Sequence, residues 1–255
     1  MMNIKTNISN RKNYGDKRQL SSIKYIVIHY TGNDGDSDEA NAKYFKGIRN
    51  ASAHYFVDDD SITQSVPDDY VAWSVGGNKY PDCHSTGGGK WYGKCTNANS
   101  ISIELCDSVK NGKYDFTENT LKQAAELTLG LMQKYNVPKE NVIRHFDVVG
   151  KVCPLPMVRD TKQWDSFKAR LSAEDKELVA AVKKIIASGI RINDASWNNV
   201  LKINLKNVSA LLTKLGGINH LVDNKIISNT KIWDNGTYTV QNVRSLLIKY
   251  ASRLG

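Results

Sequence analysis

Apolar positions along this chain keep two different rhythms, and the change comes near residue 172. Residues 23–30 form an apolar, β-branched run that predicts a buried strand. His29 stands at its carboxyl end, where Thr31 and Gly32 begin a loop. Residues 100–105 alternate strictly, so Ile101, Ile103 and Leu105 share one face while Ser100, Ser102 and Glu104 share the other. Glu104 therefore need not enter the core. A short apolar run at 142–145 also ends in a histidine, and Gly150 lets the chain turn back before Lys151 and Cys153. Pro154 and Pro156 predict an extended exit. On extended backbone, Lys151 and Cys153 point to the same side.

Beyond residue 172 the spacing becomes helical, and it repeats: the segment 182–215 recurs as 218–250. Trp197 and Trp233 are 36 residues apart whereas Asn207 and Asn242 are 35 apart, so one residue is lost between the copies. Each copy predicts a helix, a tryptophan-bearing turn and a helix, stacked to share one core. A chain of 255 residues is long enough for two domains. The expected division is 1–172 and 177–255.

The residues that carry chemistry stand at the ends of the strand-like runs. His29, His145 and Cys153 offer two imidazoles and a thiolate, the three protein donors of a catalytic zinc that keeps its fourth corner for water. Zinc in such a site acidifies water and polarises a carbonyl. Any one of the three, taken alone, reads more simply as a packed histidine or an inert buried thiol. Together they predict one catalytic zinc ion and a hydrolase.

Four ordered motifs carry a resemblance: I-V-I-H-Y-T-G at 26–32, A-S-A-H-Y-F-V at 51–57, N-A-N-S-I-S-I-E-L at 97–105 and H-F-D-V-V-G-K-V-C-P at 145–154. Residues from about 20 to 171 resemble the zinc-dependent N-acetylmuramoyl-L-alanine amidases of the type 2 family, relatives of phage amidase endolysins and peptidoglycan recognition proteins. The resemblance implies an α/β fold with a mixed central sheet flanked by helices and zinc at one edge of a groove. It implies cleavage of the amide between the lactyl group of N-acetylmuramic acid and L-alanine. The third ligand in the family is Asp or Cys, and here Cys153 takes the position. Glu104 takes the place of general base and acid, and Lys151 that of a cation beside the tetrahedral oxyanion. Some relatives carry a tyrosine just before the position of His54; this chain has Ala53, which moves the base assignment onto Glu104. His54 reads as a substrate contact or a support behind the metal ligands, or else as a packed side chain, and not as a ligand. Trp73, and Trp91 within the glycine-rich segment 87–92, read as walls of the substrate groove or, equally, as core and turn.

The other cysteines leave three readings open: a Cys83–Cys95 disulfide, a second zinc site at Cys83, His84 and Cys95, or reduced thiols. Charge adds a partner. From 177 to 255 there are eleven Lys or Arg against four Asp or Glu, which supplies most of the chain's net charge of +9. The helical repeats are thus read as a cell-wall-binding domain for anionic wall polymers, with a solvated charged face or a homo-oligomer contact as the alternatives. Charge alone also suits a nucleic-acid binder, but that reading leaves the zinc motifs unused, so no nucleic-acid partner is expected. No run approaches the ~20 apolar residues of a membrane span. The first nineteen residues are polar, without the apolar segment of a secretory leader, so synthesis in the cytoplasm and release to the wall by lysis or a pore is expected. The expected whole is a phage or prophage endolysin acting on bacterial peptidoglycan, with a host autolysin or a non-catalytic recognition protein as alternatives.

Overall fold

A computed structural model describes residues 4–171, 175–200 and 203–254. The chain divides into two compact units between residues 172 and 173. The first is built on a sheet of six strands, here β1 (Ile4–Thr6), β2 (Tyr25–Tyr30), β3 (Tyr55–Val57), β4 (Ile62–Gln64), β5 (Ser100–Leu105) and β6 (Val142–Arg144). Their order across the sheet is β1-β4-β3-β5-β2-β6, with every pair parallel except β3 with β4. It is the mixed sheet that the family resemblance implies.

Side-chain alternation sorts the two faces. Ile26 and Ile28 of β2 and Ile101, Ile103 and Leu105 of β5 join the main core, which includes Leu121, Ala124 and Leu131 of the helix Glu118–Tyr135. That helix starts on Thr117, whose hydroxyl accepts from the Thr120 N–H, and ends on Asn136 in the left-handed conformation. On the opposite face Val27 and Ile143 pack with Val75, Cys95, Val148 and Val149. Register then decides what meets at the sheet's edge. His29 lies opposite Glu104, and Arg144, the residue before His145, lies opposite Ile28. Three parallel strands therefore deliver His29, Glu104 and His145 to their shared carboxyl edge, where open α/β sheets bind ligands.

His145 opens the helix His145–Val149, which closes on Gly150 at φ +90°. The glycine run folds against this helix: Gly89 N–H donates to the Phe146 carbonyl at 3.0 Å and Trp91 N–H to that of Asp147 at 2.8 Å. A Cβ on Gly88 would stand 2.9 Å from Gly150 Cα, and one on Gly150 would overlap Cys83 Sγ. Gly150→Ala is therefore expected to destabilise the unit by about 2–4 kcal/mol, combining left-handed strain with overpacking. Denaturant titration of the variant against the wild type measures it, and a loss below about 0.5 kcal/mol would show that the helix end can shift freely.

Pro156 does not hold the chain extended but sits in the first turn of the helix Leu155–Arg159, where its missing N–H removes no helical hydrogen bond. Lys151 and Cys153 do not lie on plain extended backbone either, because the Cys153 N–H turns back to the Lys151 carbonyl at 2.7 Å.

The second unit is helical, with its own core of residues such as Leu178, Val182, Trp197, Leu211, Leu221, Trp233, Val243 and Leu246. Its longer helices are Lys176–Ala187, Val208–Lys214, Gly217–Asp223 and Val240–Arg253. The tryptophans stand on one-turn helices, Asp194–Trp197 and Lys231–Asp234, rather than in open turns. Both are buried, as the shared core of a repeat requires. Arg244 reaches from the last helix to Asp175 and Glu177 at the start of the first. Among the described residues no helix is long and apolar enough to cross a membrane.

Candidate active site

His29 is 2% exposed, His145 5% and Cys153 2%, and one donor atom from each lies within 4.8 Å of the others. The Cys153 Sγ to His29 Nδ1 separation is 3.8 Å, and the two imidazole centroids are 4.7 Å apart. Donors bound to one zinc at the usual ~2.1 Å for nitrogen and ~2.3 Å for sulfur stand roughly 3.5 Å apart. Hydrogen bonding leaves the same cluster unsatisfied: both ring nitrogens of His145 and Nε2 of His29 are buried without a partner. Buried polar groups normally find partners, so orphans this close together mark a ligand site.

Electrostatics points the same way. Burial pushes the His29 pKa well below its ordinary value, helped by His145 and Lys151. Burial and Lys151 lower His145 to about 4. Both rings are thus neutral, with lone pairs free for a metal. Burial and then Glu104 raise the Cys153 thiol. A divalent cation would reverse that last shift, since a coordinating thiol is deprotonated outright. The residues fit zinc by donor type, by spacing and by what they lack.

Glu104 stands beside this cluster and outside it, with Oε1 3.8 Å from His29 Nδ1 and Oε2 buried without a partner. Burial raises its pKa to about 8, opposed by Lys151 and reinforced by Asp107. A cation in the cluster would draw that value down again, leaving a carboxylate that can take up and return a proton. Lys151 is exposed, and its charge reaches His29, His145 and Glu104.

Three weaker sequence candidates resolve differently. His54 is no substrate contact: it is fully buried, its Nδ1 accepts from the Ser102 N–H at 3.1 Å, and its Nε2 lies 2.9 Å from Arg18 Nη2 and 3.2 Å from the Tyr70 carbonyl. Trp91 is half-buried: it packs edge-on against Tyr25 at 5.4 Å and against the small core around Cys95. Trp73 is the most exposed of the three, at 37%, and with Tyr92 it lines a groove of ≈ 490 Å³ that includes Val148 and Val149 of the His145 helix. Ala53 is buried in a cluster with Ala42 and Phe56. All four cysteines are free thiols, and Cys83 donates to the Val149 carbonyl at 3.5 Å. His84 turns instead to the Pro81 carbonyl.

Burial and the neighbouring Arg18 lower the His54 pKa to about 3 from 6.5. Between those values the unfolded chain takes up a proton that the folded one refuses. Stability is therefore expected to fall as pH drops below 6.5, by up to ~1.4 kcal/mol per pH unit from this group. The pH dependence of unfolding should be shallower by nearly one proton in His54→Gln; an unchanged slope would mean that the ring protonates in place.

Sequence reasoning passed over Arg18 and Asp107. Arg18 donates to the carbonyls of Asp68 and Ser100 as well as meeting His54. Asp107 accepts from the Thr31 hydroxyl and the Gly32 N–H, each at 2.7 Å, and so ties down the loop that follows His29. Neither carries a motif, and 107 shares the odd parity of the apolar positions 101, 103 and 105, so the alternation gave no hint of it.

A buried pair of imidazoles and a thiol, with a carboxylate at their side on the carboxyl edge of a mixed sheet, is the kind of centre that metal-dependent hydrolases use. The sequence model of the N-acetylmuramoyl-L-alanine amidases matches residues 19–156, more than half of the chain, and the chain belongs to that family. A probable N-acetylmuramoyl-L-alanine amidase of Bacillus licheniformis is 32% identical over 160 residues, covering 61% of this chain and 43% of that protein. The amidase XlyB of Bacillus subtilis is 27% identical over 222 residues, 86% of this chain and 65% of its own, which reaches past the first unit. Among solved structures, a mutant endolysin from Bacillus subtilis aligns with 67% of this chain and 99% of its own at 31% identity and a TM-score of 0.51. The chain spans 42–43% of the length of the first curated relatives it matches.

Proposed function

We propose that this chain is a zinc-dependent amidase that hydrolyses the bond between N-acetylmuramic acid and L-alanine in bacterial peptidoglycan, working as an endolysin of phage or prophage origin. The observation that carries the reading is the buried cluster of His29, His145 and Cys153 with the orphaned Glu104 carboxylate beside it. The three clustered residues would hold the ion. When bound, zinc supplies Lewis acidity toward the scissile carbonyl and toward water. Glu104 takes a proton from the attacking water as its oxygen adds to the lactyl carbonyl carbon, and returns that proton to the alanine nitrogen as the C–N bond breaks. Lys151 holds its positive charge where the carbonyl oxygen becomes negative. Trp73 and Tyr92 form one wall for the sugar-peptide. The basic second unit attaches the enzyme to the wall, its excess of Lys and Arg suiting anionic polymers.

Mass spectrometry of peptidoglycan digested by zinc-loaded protein, with Glu104→Ala as control, tests the reading. Free L-alanine amino termini without new reducing sugars are expected. Tight muropeptide binding without release would make the chain a recognition protein instead.

A further inference from the structure

The second unit carries a groove of ≈ 460 Å³ whose floor is Leu212, Ile218, Trp233 and Tyr238. It arises where the two copies of the repeat differ. Counting back 36 residues, Gly216 and Gly217 correspond to Ala180 and Ala181, which lie inside the helix Lys176–Ala187. Both glycines, which stand just before the second copy, have positive φ, +95° and +83°, and the helix begins at Gly217. The groove opens beside the break between the helices Val208–Lys214 and Gly217–Asp223. Counting back 35 residues, as the lost residue requires, Tyr238 corresponds to the buried Ile203. Tyr238 is partly exposed and stacks on Trp233 with centroids 5.4 Å apart at 28°.

The rim is polar: Ser209, Thr213, Asn219 and Asp234 are all exposed there. Among the described residues lining the groove none is Lys or Arg, and the one charge is the Asp234 carboxylate, although the unit as a whole is strongly basic. Such a place does not suit a phosphate-bearing polymer. A rigid aromatic wall with amide, hydroxyl and carboxylate groups around it suits the apolar face and the hydroxyls of an uncharged sugar ring.

From this we infer that the second unit holds a saccharide site in this groove, taking an N-acetylhexosamine ring of the wall glycan, distinct from whatever its basic surface contacts. The inference builds on the proposed wall attachment and makes it two-part: a salt-sensitive basic surface and a salt-insensitive sugar site.

Calorimetric titration of the zinc-loaded 255-residue chain with a soluble β-1,4-linked N-acetylglucosamine oligomer, with peptide-free peptidoglycan glycan strands and with poly(glycerol phosphate) tests it. The oligomer contains no amide to L-alanine, so turnover does not interfere. Saturable, salt-insensitive binding of the oligomer and the strands is expected, undisturbed by the phosphate polymer. Tyr238→Ile, which restores the residue type of the first copy, should weaken it at least roughly tenfold, while Tyr238→Phe keeps it. Asn219→Ala, on an exposed residue outside the core, should weaken it too and covers the case in which Tyr238→Ile unfolds. Absence of sugar binding, unchanged affinity in Asn219→Ala, or displacement by poly(glycerol phosphate) would overturn the inference. The amidase assay reads separately: release of L-alanine termini without sugar binding removes only this site, and sugar binding without release removes only the proposed reaction.

Discussion

Cys153→Ser is expected to cost the chain its metal and its hydrolytic activity while leaving its sedimentation with cell walls intact. Cys153 is 2% exposed and lies against His29 at 3.8 Å, and the other three thiols are engaged elsewhere: Cys83 with the Val149 carbonyl, Cys95 in the core around Val27, and Cys106 accepting from the Asn41 amide at 3.7 Å. A serine hydroxyl is a harder donor that does not ionise in a buried site. Even groups that merely support a metal ligand are worth 10- to 100-fold in affinity or activity, so losing a ligand should exceed about 10²-fold. Metal analysis of the purified variant and its rate on soluble muropeptide read the effect. Added zinc should raise the unfolding temperature of the wild type and not of the variant, because only a folded site of full affinity gains stability from the ion. Sedimentation should persist because the second unit has a separate core and the proposed wall contacts. Joint loss of hydrolysis and sedimentation in a folded Cys153→Ser protein would sink that division of labour.

Glu104→Gln is expected to lower the hydrolytic rate by roughly 10²–10⁴-fold with the zinc content unchanged. The carboxylate lies beside the donor cluster without belonging to it, so its removal should spare the ion. Stability should move the other way. In the metal-free protein Glu104 keeps its proton to about pH 8 against an ordinary 4.5, chiefly because burial disfavours the charge. Between those values the unfolded chain has released a proton that the folded chain still holds. Stability therefore falls as pH rises from 4.5 toward 8. Glutamine has nothing to ionise, so the variant should lose this decline and be at least as stable as wild type near neutrality. Such an exchange of stability for activity is common at catalytic sites. A variant that keeps its rate would place the proton transfer elsewhere, and one that loses zinc would make Glu104 a ligand.

Much of the candidate site was legible because its residues end regular elements. A histidine closing an apolar run is at a strand's carboxyl end wherever the strand packs, and strict alternation at 100–105 settles that Glu104 faces away from Leu105. The mixed sheet follows from the family resemblance and is the sheet observed. Other readings failed where the answer lay in a distant segment. His54 looked free to face a groove, but Arg18, Ser102 and Tyr70 close around both of its nitrogens. The glycine run looked like a ligand wall or a loose turn, but it is small because the chain beside Gly150 approaches it closely.

What the sequence by itself determined is the placement of His29, Glu104 and His145 at strand ends and the helical character of the second unit, because each is written in local periodicity. Tertiary structure alone decided which polar groups would be left without partners, which thiols would stay single and where the repeat would open into a groove. Those outcomes depend on how closely residues far apart in the chain approach one another: Asp107 against Thr31 and Gly88 against Gly150 are set by strand register and helix ends. No local pattern records such distances, because the same residue types are satisfied or orphaned according to what packing brings beside them.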